Sequence, residues 1–331
     1  MFNSYNITMK VRIIFPFALL LFLLWIFNSC DTHDEDSIDP GSLNQWKSYN
    51  TSNGLTDNRI SAIFKDEQGI IWIGTDGGGV NYYDGKSWSV LSTYDGLLSN
   101  NIYSIGQDKD GNIWFGTSAG VNILVDDELF YFFDLEGIPV YSFLNARNDI
   151  FWIGTAGMGV ILYNYTSFHP ITFENPDLNT INVIIQDESG TLWLGTNGGA
   201  IKTKGTSFDV YDETTGLCSN RVSDIMEDSW GDIWFSSIYG KYLTRYDGQK
   251  SEYVGLFGFN DGLVTAMVED WNHDIWCATG FGIMKYNGVE MEFVELPESF
   301  TDDLFLYVDL DSEGNLWIGT ASNGIYHYST E

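Results

Sequence analysis

The sequence predicts an all-β fold, a seven-bladed β-propeller with four-stranded blades. Three observations carry this. Tryptophan recurs at a nearly constant spacing, at Trp72, Trp114, Trp152, Trp193, Trp234, Trp276 and Trp317. Each anchor sits in the same short motif of turn, apolar strand and turn. No helical periodicity follows residue 30. A period near forty residues with one anchor per unit marks a repeat array. Four short strands per such unit is the pattern of a propeller blade, and seven units close a ring in which each blade covers the next.

The first unit shows how the strands arise. Asp66-Glu67-Gln68-Gly69 is turn chemistry, with Asp capping the turn and Gly supplying positive φ. Ile71-Trp72-Ile73-Gly74-Thr75 is apolar and partly β-branched, so it reads as a strand. A Gly-rich turn then leads into Val80-Asn81-Tyr82-Tyr83, and Asp84-Gly85 turns the chain into Trp88-Ser89-Val90-Leu91. The seventh unit supplies only three strands, over 304–310, 315–320 and 324–329. The segment 45–50, Gln-Trp-Lys-Ser-Tyr-Asn, matches the outer strands of the other units. It is expected to complete the last blade and close the ring.

Two departures stand out. Unit three has Ala146 where the others carry Asp six residues before the anchor, and Asp149 replaces the turn Gly. Units five and six replace the Gly-Thr after the anchor with Ser236-Ser237 and Ala278-Thr279.

The run Gly96-Leu97-Leu98-Ser99-Asn100-Asn101-Ile102, then Asp108-x-x-Gly111, Ile113-Trp114-Phe115-Gly116-Thr117 and Gly120-Val121 resembles the two-component regulator propeller repeat. The resemblance extends over residues 45–329. It implies the extracytoplasmic sensor part of a two-component system, many of which respond to glycans. Such propellers belong to large membrane kinases. Here no kinase domain or second membrane segment is expected, which implies a binding module rather than kinase activity.

Ahead of the propeller, Lys10 and Arg12 precede the apolar run Ile13–Phe27 and then Asn28-Ser29-Cys30. The run is short for a membrane span and suits a signal-peptide core. Residues 1–29 thus read as a lipoprotein signal peptide with Met1 or Met9 as start and Cys30 as the lipidated residue, with a plain signal peptide or a retained membrane anchor as the alternatives. Residues 30–44 read as an acidic tether with too little apolar content to fold. The tether resembles surface-export signals of lipoproteins in Bacteroidetes-type bacteria, and a plain solvated linker is the alternative. The expected place is the cell envelope, periplasmic or surface-exposed, with the membrane touched only through lipid. A net charge of −31 excludes nucleic-acid binding through a basic patch.

Counting from each anchor aligns the channel-mouth positions. Fourteen before it, Asn58, Asn100, Asn179 and Asn220 suit capping. Thirteen before it the residue varies: Arg59, Asn101, Pro139, Thr180, Arg221, Leu263, Leu304. Cations are scarce in this chain, so Arg59 and Arg221, three blade steps apart, are expected either to grip an anionic group such as a uronate or sulfated glycan, or to pair with local carboxylates. Ten before the anchor, small residues dominate, and Asp224 and Tyr307 break the rule as channel-lining candidates. The loops after the second strands add Asp76, Asn197, Tyr239, Phe281 and Asn323, with the two aromatics able to stack on sugars or to pack between loops. The anchor tryptophans themselves read as core.

No cofactor or metal is expected. Asp108-Lys109-Asp110-Gly111-Asn112 imitates the start of a calcium loop, but the twelfth position is Ala119 rather than Glu. Cys277 reads as an apolar filler and Cys218 as a loop residue, without a bridge between them. The four His fall outside the mouth, and no nucleophile–base pair converges there. The expectation is a non-catalytic ligand-binding or sensing protein; a scaffold docking an envelope protein and a metal-dependent lyase-type propeller are the alternatives. Trp230 and Trp271, in turns on the opposite face, are candidates for a partner contact.

Overall fold

The computed structural model describes residues 5–6, 9–10, 46–204, 207–240, 242–255, 263–297, 300, 304–311 and 313–329. Seven antiparallel sheets follow one another along the chain. Blade one comprises Ile60–Lys65, Ile71–Thr75, Val80–Tyr83 and Trp88–Leu91. The other blades repeat this order, from an inner strand at the central channel to an outer strand. Two short 3-10 turns lie at Phe133–Leu135 and Pro176–Asn179.

Blade seven has Phe305–Leu310, Leu316–Thr320 and Ile325–Tyr328 from the C-terminal end, and Trp46–Tyr49 as its outer strand. Trp46 pairs with Tyr328 and Tyr49 with Ile325, so the expected closure is present. Tyr5–Asn6 and Met9–Lys10 pair with the outer strands of blades three and two. The rest of the segment read as signal peptide and tether, including Cys30, lies outside the described residues.

The anchor tryptophans are core, from fully buried Trp114 to Trp276 at 9 % exposure. Burying each contributes at most roughly 4–6 kcal/mol, from about 150–250 Å² at about 25 cal/mol per Å². Their indole N–H groups must still find an acceptor inside the blade. In six blades the Asp six residues upstream provides it, at 2.7–3.1 Å. The other oxygen of the same carboxylate accepts backbone N–H groups of its own turn, as Asp66 does from Gln68 and Ile70. In blade three Ala146 holds that place, and the buried Trp152 Nε1 has no partner. There Asp149 adopts φ 58° and pairs with Lys109 of blade two at 3.2 Å.

The residues after the anchor serve the seams between blades. A Cβ on Gly74 would lie 2.7 Å from Ile102 of the next blade, so glycine lets that strand close in. Thr75 donates to the Gly79 carbonyl at 2.8 Å and locks the turn to the third strand. In blade five Ser236 replaces the glycine and bonds Ser223 at 2.9 Å.

Every inner strand carries a register irregularity around its second residue, as between Ile60 and Ala62. A bulge of this kind re-aims a side chain. Ser61, Asn182, Ser223 and Thr265 use it to donate to the first carbonyl of the next inner strand, on Ile102, Val222, Val264 and Phe305. A second ring of bonds crosses the seams on the opposite face, where Gln107, Gln186, Glu227 and Glu269 accept backbone N–H groups of the preceding blade.

Two outcomes test this account. Deleting residues 46–49 removes four backbone pairings and opens the ring, so the melting temperature should fall by about 10 °C or more, read by calorimetry. Ala146→Asp should give Trp152 its acceptor and raise stability by about 1 kcal/mol in denaturant titration. An unchanged or lowered midpoint would mean that the acceptor is not what blade three lacks.

Candidate functional site at the channel mouth

The loops that enter the inner strands and the loops after the second strands share one face. Gly77 and Gly79 of blade one both donate to the Asn100 carbonyl of the loop entering blade two. The Asn side chains fourteen before the anchors cap these loops, accepting from Thr51, Thr93, Phe173 and Glu213. Asparagine here is structural.

Two cavities lie on the ring axis. The one at the mouth, of about 320 Å³, is walled by Tyr103, Tyr141, Thr180, Asn182, Asn197 and Arg221, with Ser61. A deeper one of about 360 Å³ is bounded by the inner strands of all seven blades. They share Ser61, Tyr103, Tyr141 and Asn182, so the mouth leads into the channel. A larger open depression of about 830 Å³ on the opposite face is bordered by Asp66, Gln107 and Asp311. Those groups already serve Trp72, the Glu67 N–H and Trp317, which makes that depression a by-product of seam architecture.

The expectation that two arginines grip one anion is corrected. Arg59 Nε lies 3.0 Å from Asp76 Oδ2, and Arg59 does not border the mouth cavity. The backbone imposes this pair, because the Asp76 N–H donates to the Arg59 carbonyl and brings the carboxylate under the guanidinium. Arg221 differs. Among the described residues no carboxylate lies within ion-pair distance of it. Its Nη1 donates to the Tyr239 hydroxyl at 3.4 Å, and its guanidinium stands 5.6 Å from that ring's centroid.

Of the other residues singled out from the sequence, Asn197 joins Arg221 at the mouth and accepts from Asn182 at 3.2 Å. Tyr239 is 68 % exposed beside them. Asp224 and Tyr307 lie deeper in the channel. Asn101 is held in a bridge with Asp76. Phe281 and Asn323 sit in loops whose N–H groups bond Thr279 and Thr320, and neither borders the two cavities. Tyr103, Tyr141, Asn182 and Asp309 were missed. Tyr103, Tyr141 and Asn182 occupy the bulge position eleven before the anchor, and Asp309 stands eight before it among Phe64, Gly106, Leu144, Ile185, Met226 and Val268. The same counting that isolates Asp224 would have found them.

The channel is electrostatically unusual. Burial pushes the Asp224 carboxyl up to about 7, against the N–H groups of Met267 and Ile225 that pull it down, and Asp309 adds repulsion. Burial likewise lifts Asp309 to about 6. Tyr307 is raised by burial and then by both carboxylates. Cys277 and Cys218 are free thiols, and burial pushes the Cys277 thiol up. Among the described residues no group of three His, Cys, Asp or Glu is placed to hold a metal ion. His169, His273 and His327 border neither cavity.

With the ring, the repeat and the mouth in place, the class is a seven-bladed propeller with an axial pocket. The two component regulator propeller repeat is matched over residues 54–77, 96–119, 176–198 and 216–239. These stretches cover the entry loop, inner strand and second strand of blades one, two, four and five. The chain is 28 % identical over 187 residues to histidine kinase P4 of Formosa agariphila, over 51 % of this chain and 10 % of the kinase. It superposes on the extracellular domain of a hybrid two component system from B. thetaiotaomicron with a TM-score of 0.75 and 25 % identity, over 87 % of this chain and 41 % of that one. The chain thus spans well under half the length of both relatives. Virginiamycin B lyase of Staphylococcus aureus shares the fold, with a TM-score of 0.72 and 14 % identity over 87 % of this chain and 99 % of the lyase.

The channel carboxyls of Asp224 and Asp309, half-buried in the cavity wall, set a pH dependence. Their folded-state values lie above the ordinary 3.8, so the protonated form favours the fold and stability is lost as pH rises through about 6 to 7. Asp187 and Asp311 run the other way. Burial raises them, but hydrogen bonds from Trp193 and Ser189, and from Asn315 and Trp317, outweigh it and hold them low. Their contribution is present above the ordinary 3.8 and lost in acid. The melting temperature should therefore rise on going from about pH 8 to about pH 5.5 and fall below about pH 4. Asp309→Asn should flatten the upper limb; an unaltered profile in that variant would show that the channel carboxyls do not cause it.

Proposed function

We propose that this protein is an exported, non-catalytic sensing propeller of the cell envelope, anchored by lipid at Cys30, whose mouth receives a ligand bearing an acidic group. Arg221 carries the reading. It is a guanidinium without a carboxylate partner among the described residues, at the rim of a cavity walled by Tyr103, Tyr141 and side-chain amides. Guanidinium forks match carboxylate and sulfate geometry, and aromatic walls suit sugar rings. A uronate-bearing or sulfated glycan meets both requirements. The sensor-domain relatives support a role in two-component signalling. The likeness to virginiamycin B lyase extends to the ring, while His169, His273 and His327, the described histidines, border neither axial cavity. A second reading, docking of an envelope protein, is favoured by Trp230 and Trp271, which are 63 % and 75 % exposed on the opposite face.

A glycan array that compares neutral, uronate-bearing and sulfated oligosaccharides tests the mouth. Binding should favour the acidic members. Arg221→Gln should weaken it tenfold or more, in line with roughly 1.5–3 kcal/mol for a hydrogen bond to a charged group. Arg59→Gln should leave it within about twofold, because Arg59 already serves Asp76. Equal binding of neutral and acidic members, or indifference to Arg221→Gln, would remove the reading.

A further inference from the structure

The axial cavity is polarised along its depth. Arg221 stands at the rim, immediately before the inner strand of blade five, and Asp224 lies three residues further along, within Val222–Glu227. At up to about 3.3 Å per residue, with the irregularity between Val222 and Asp224 shortening the path, the two positions lie within roughly 10 Å of one another along the chain. Blade seven contributes Asp309 and Tyr307 to the same deeper cavity. The carboxylates of Asp224 and Asp309 repel one another, and both act on the Tyr307 hydroxyl. The backbone does not exhaust this group. Asp224 accepts from Met267 at 2.7 Å and Ile225 at 2.9 Å, which leaves lone pairs on both oxygens. Asp309 uses one oxygen, at 2.8 Å from the Leu310 N–H. The Tyr307 hydroxyl lies deep in the channel, and no hydrogen bond to it forms among the described residues. Among the described residues, the lining of the deeper cavity thus holds acceptors and no cationic side chain, while the lining of the mouth cavity holds Arg221 and no carboxylate.

Resting on the proposed anion-binding role of Arg221, we propose that the axial cavity takes a zwitterionic ligand, with its acidic group at Arg221 and a primary amine lowered to Asp224, Asp309 and Tyr307. An ammonium group has three donors, and the depth of the channel offers acceptors from three side chains. Paired buried carboxyls favour protonation when alone, and a bound cation relieves both burial and repulsion. The spacing sets the length. A free tripeptide in extended form spans roughly 10 Å between its termini, which matches the rim-to-depth separation.

Calorimetry of the whole chain with triglycine, N-acetyl-triglycine and triglycine amide tests this. Triglycine should bind, and each cap should weaken it tenfold or more. Asp309→Asn should abolish the penalty for the N-acetyl cap and keep the penalty for the amide. Arg221→Gln should do the reverse. Asp309→Asn keeps an acceptor for Leu310 and is preferred to Asp224→Asn, which would cost a backbone N–H its partner. Absence of triglycine binding, equal affinity for the free and acetylated forms, or unchanged discrimination in Asp309→Asn would overturn the proposal. Acidic oligosaccharide binding that still depends on Arg221 would then leave the reading of the mouth standing without the amine site.

Discussion

The fold rests on one repeated interaction, the bond from a buried indole N–H to the aspartate six residues before it. A tryptophan is the largest apolar group a blade can bury, but it brings a donor into the core. An unmet buried donor costs about 1–3 kcal/mol, and the ring has seven. One carboxylate settles the indole and the backbone donors of its own turn together, as Asp228 does for Trp234, Trp230 and Asp232. The tryptophan thereby sets the turn, and the turn sets where the inner and second strands pair. Blade three shows what holds when the bond is absent. Trp152 stays buried with its N–H unmet, while Lys109 clasps Asp149 and lies 4.4 Å from the Tyr165 ring centroid across the seam.

The same demand for seam contacts explains where the ring leaves room for a site. At the bulge of the inner strand, four blades use a short polar side chain to bond the next blade. In blades two and three that position holds Tyr103 and Tyr141, which cannot reach back to a carbonyl and instead stack edge to face, 5.2 Å apart, at the mouth. Ser104 takes over the seam bond from blade two, donating to Val140 at 3.1 Å. The corresponding Ser142 of blade three has no partner. The mouth wall therefore mixes the two kinds of residue, with Ser61 and Asn182 bonding the next blade while Tyr103 and Tyr141, released from that task, supply its aromatic surface.

This division accounts for what could be read from the sequence. The ring, the blade number and the closing strand were legible because every blade obeys the same packing rule and repeats its residues. Asp224 and Tyr307 were legible because they break a run of small residues. Asp309, Tyr103 and Tyr141 break their own columns just as clearly, and were missed because those columns were not compared. Arg59 could not be judged by column. Whether it is free depends on a loop approach that puts Asp76 beneath it, and Arg221, in the same column, meets an aromatic ring instead. Pairing across loops is decided by tertiary geometry, and residue type alone does not disclose it.

The overall charge bears on what can enter the mouth. A chain with a formal charge of −31 surrounds itself with a negative potential that repels polyanions out to about the screening length, about 8 Å at physiological ionic strength. A lone guanidinium at the rim acts only inside that distance. It can orient an acidic group that has already arrived, but it does not draw one in from afar. A ligand whose acidic group is balanced by an amine escapes most of the long-range penalty and still meets Arg221 at contact. On the proposed reading of the mouth, the field of the whole molecule and the polarity of its channel would therefore select in the same direction, for compact ligands of low net charge over extended acidic polymers.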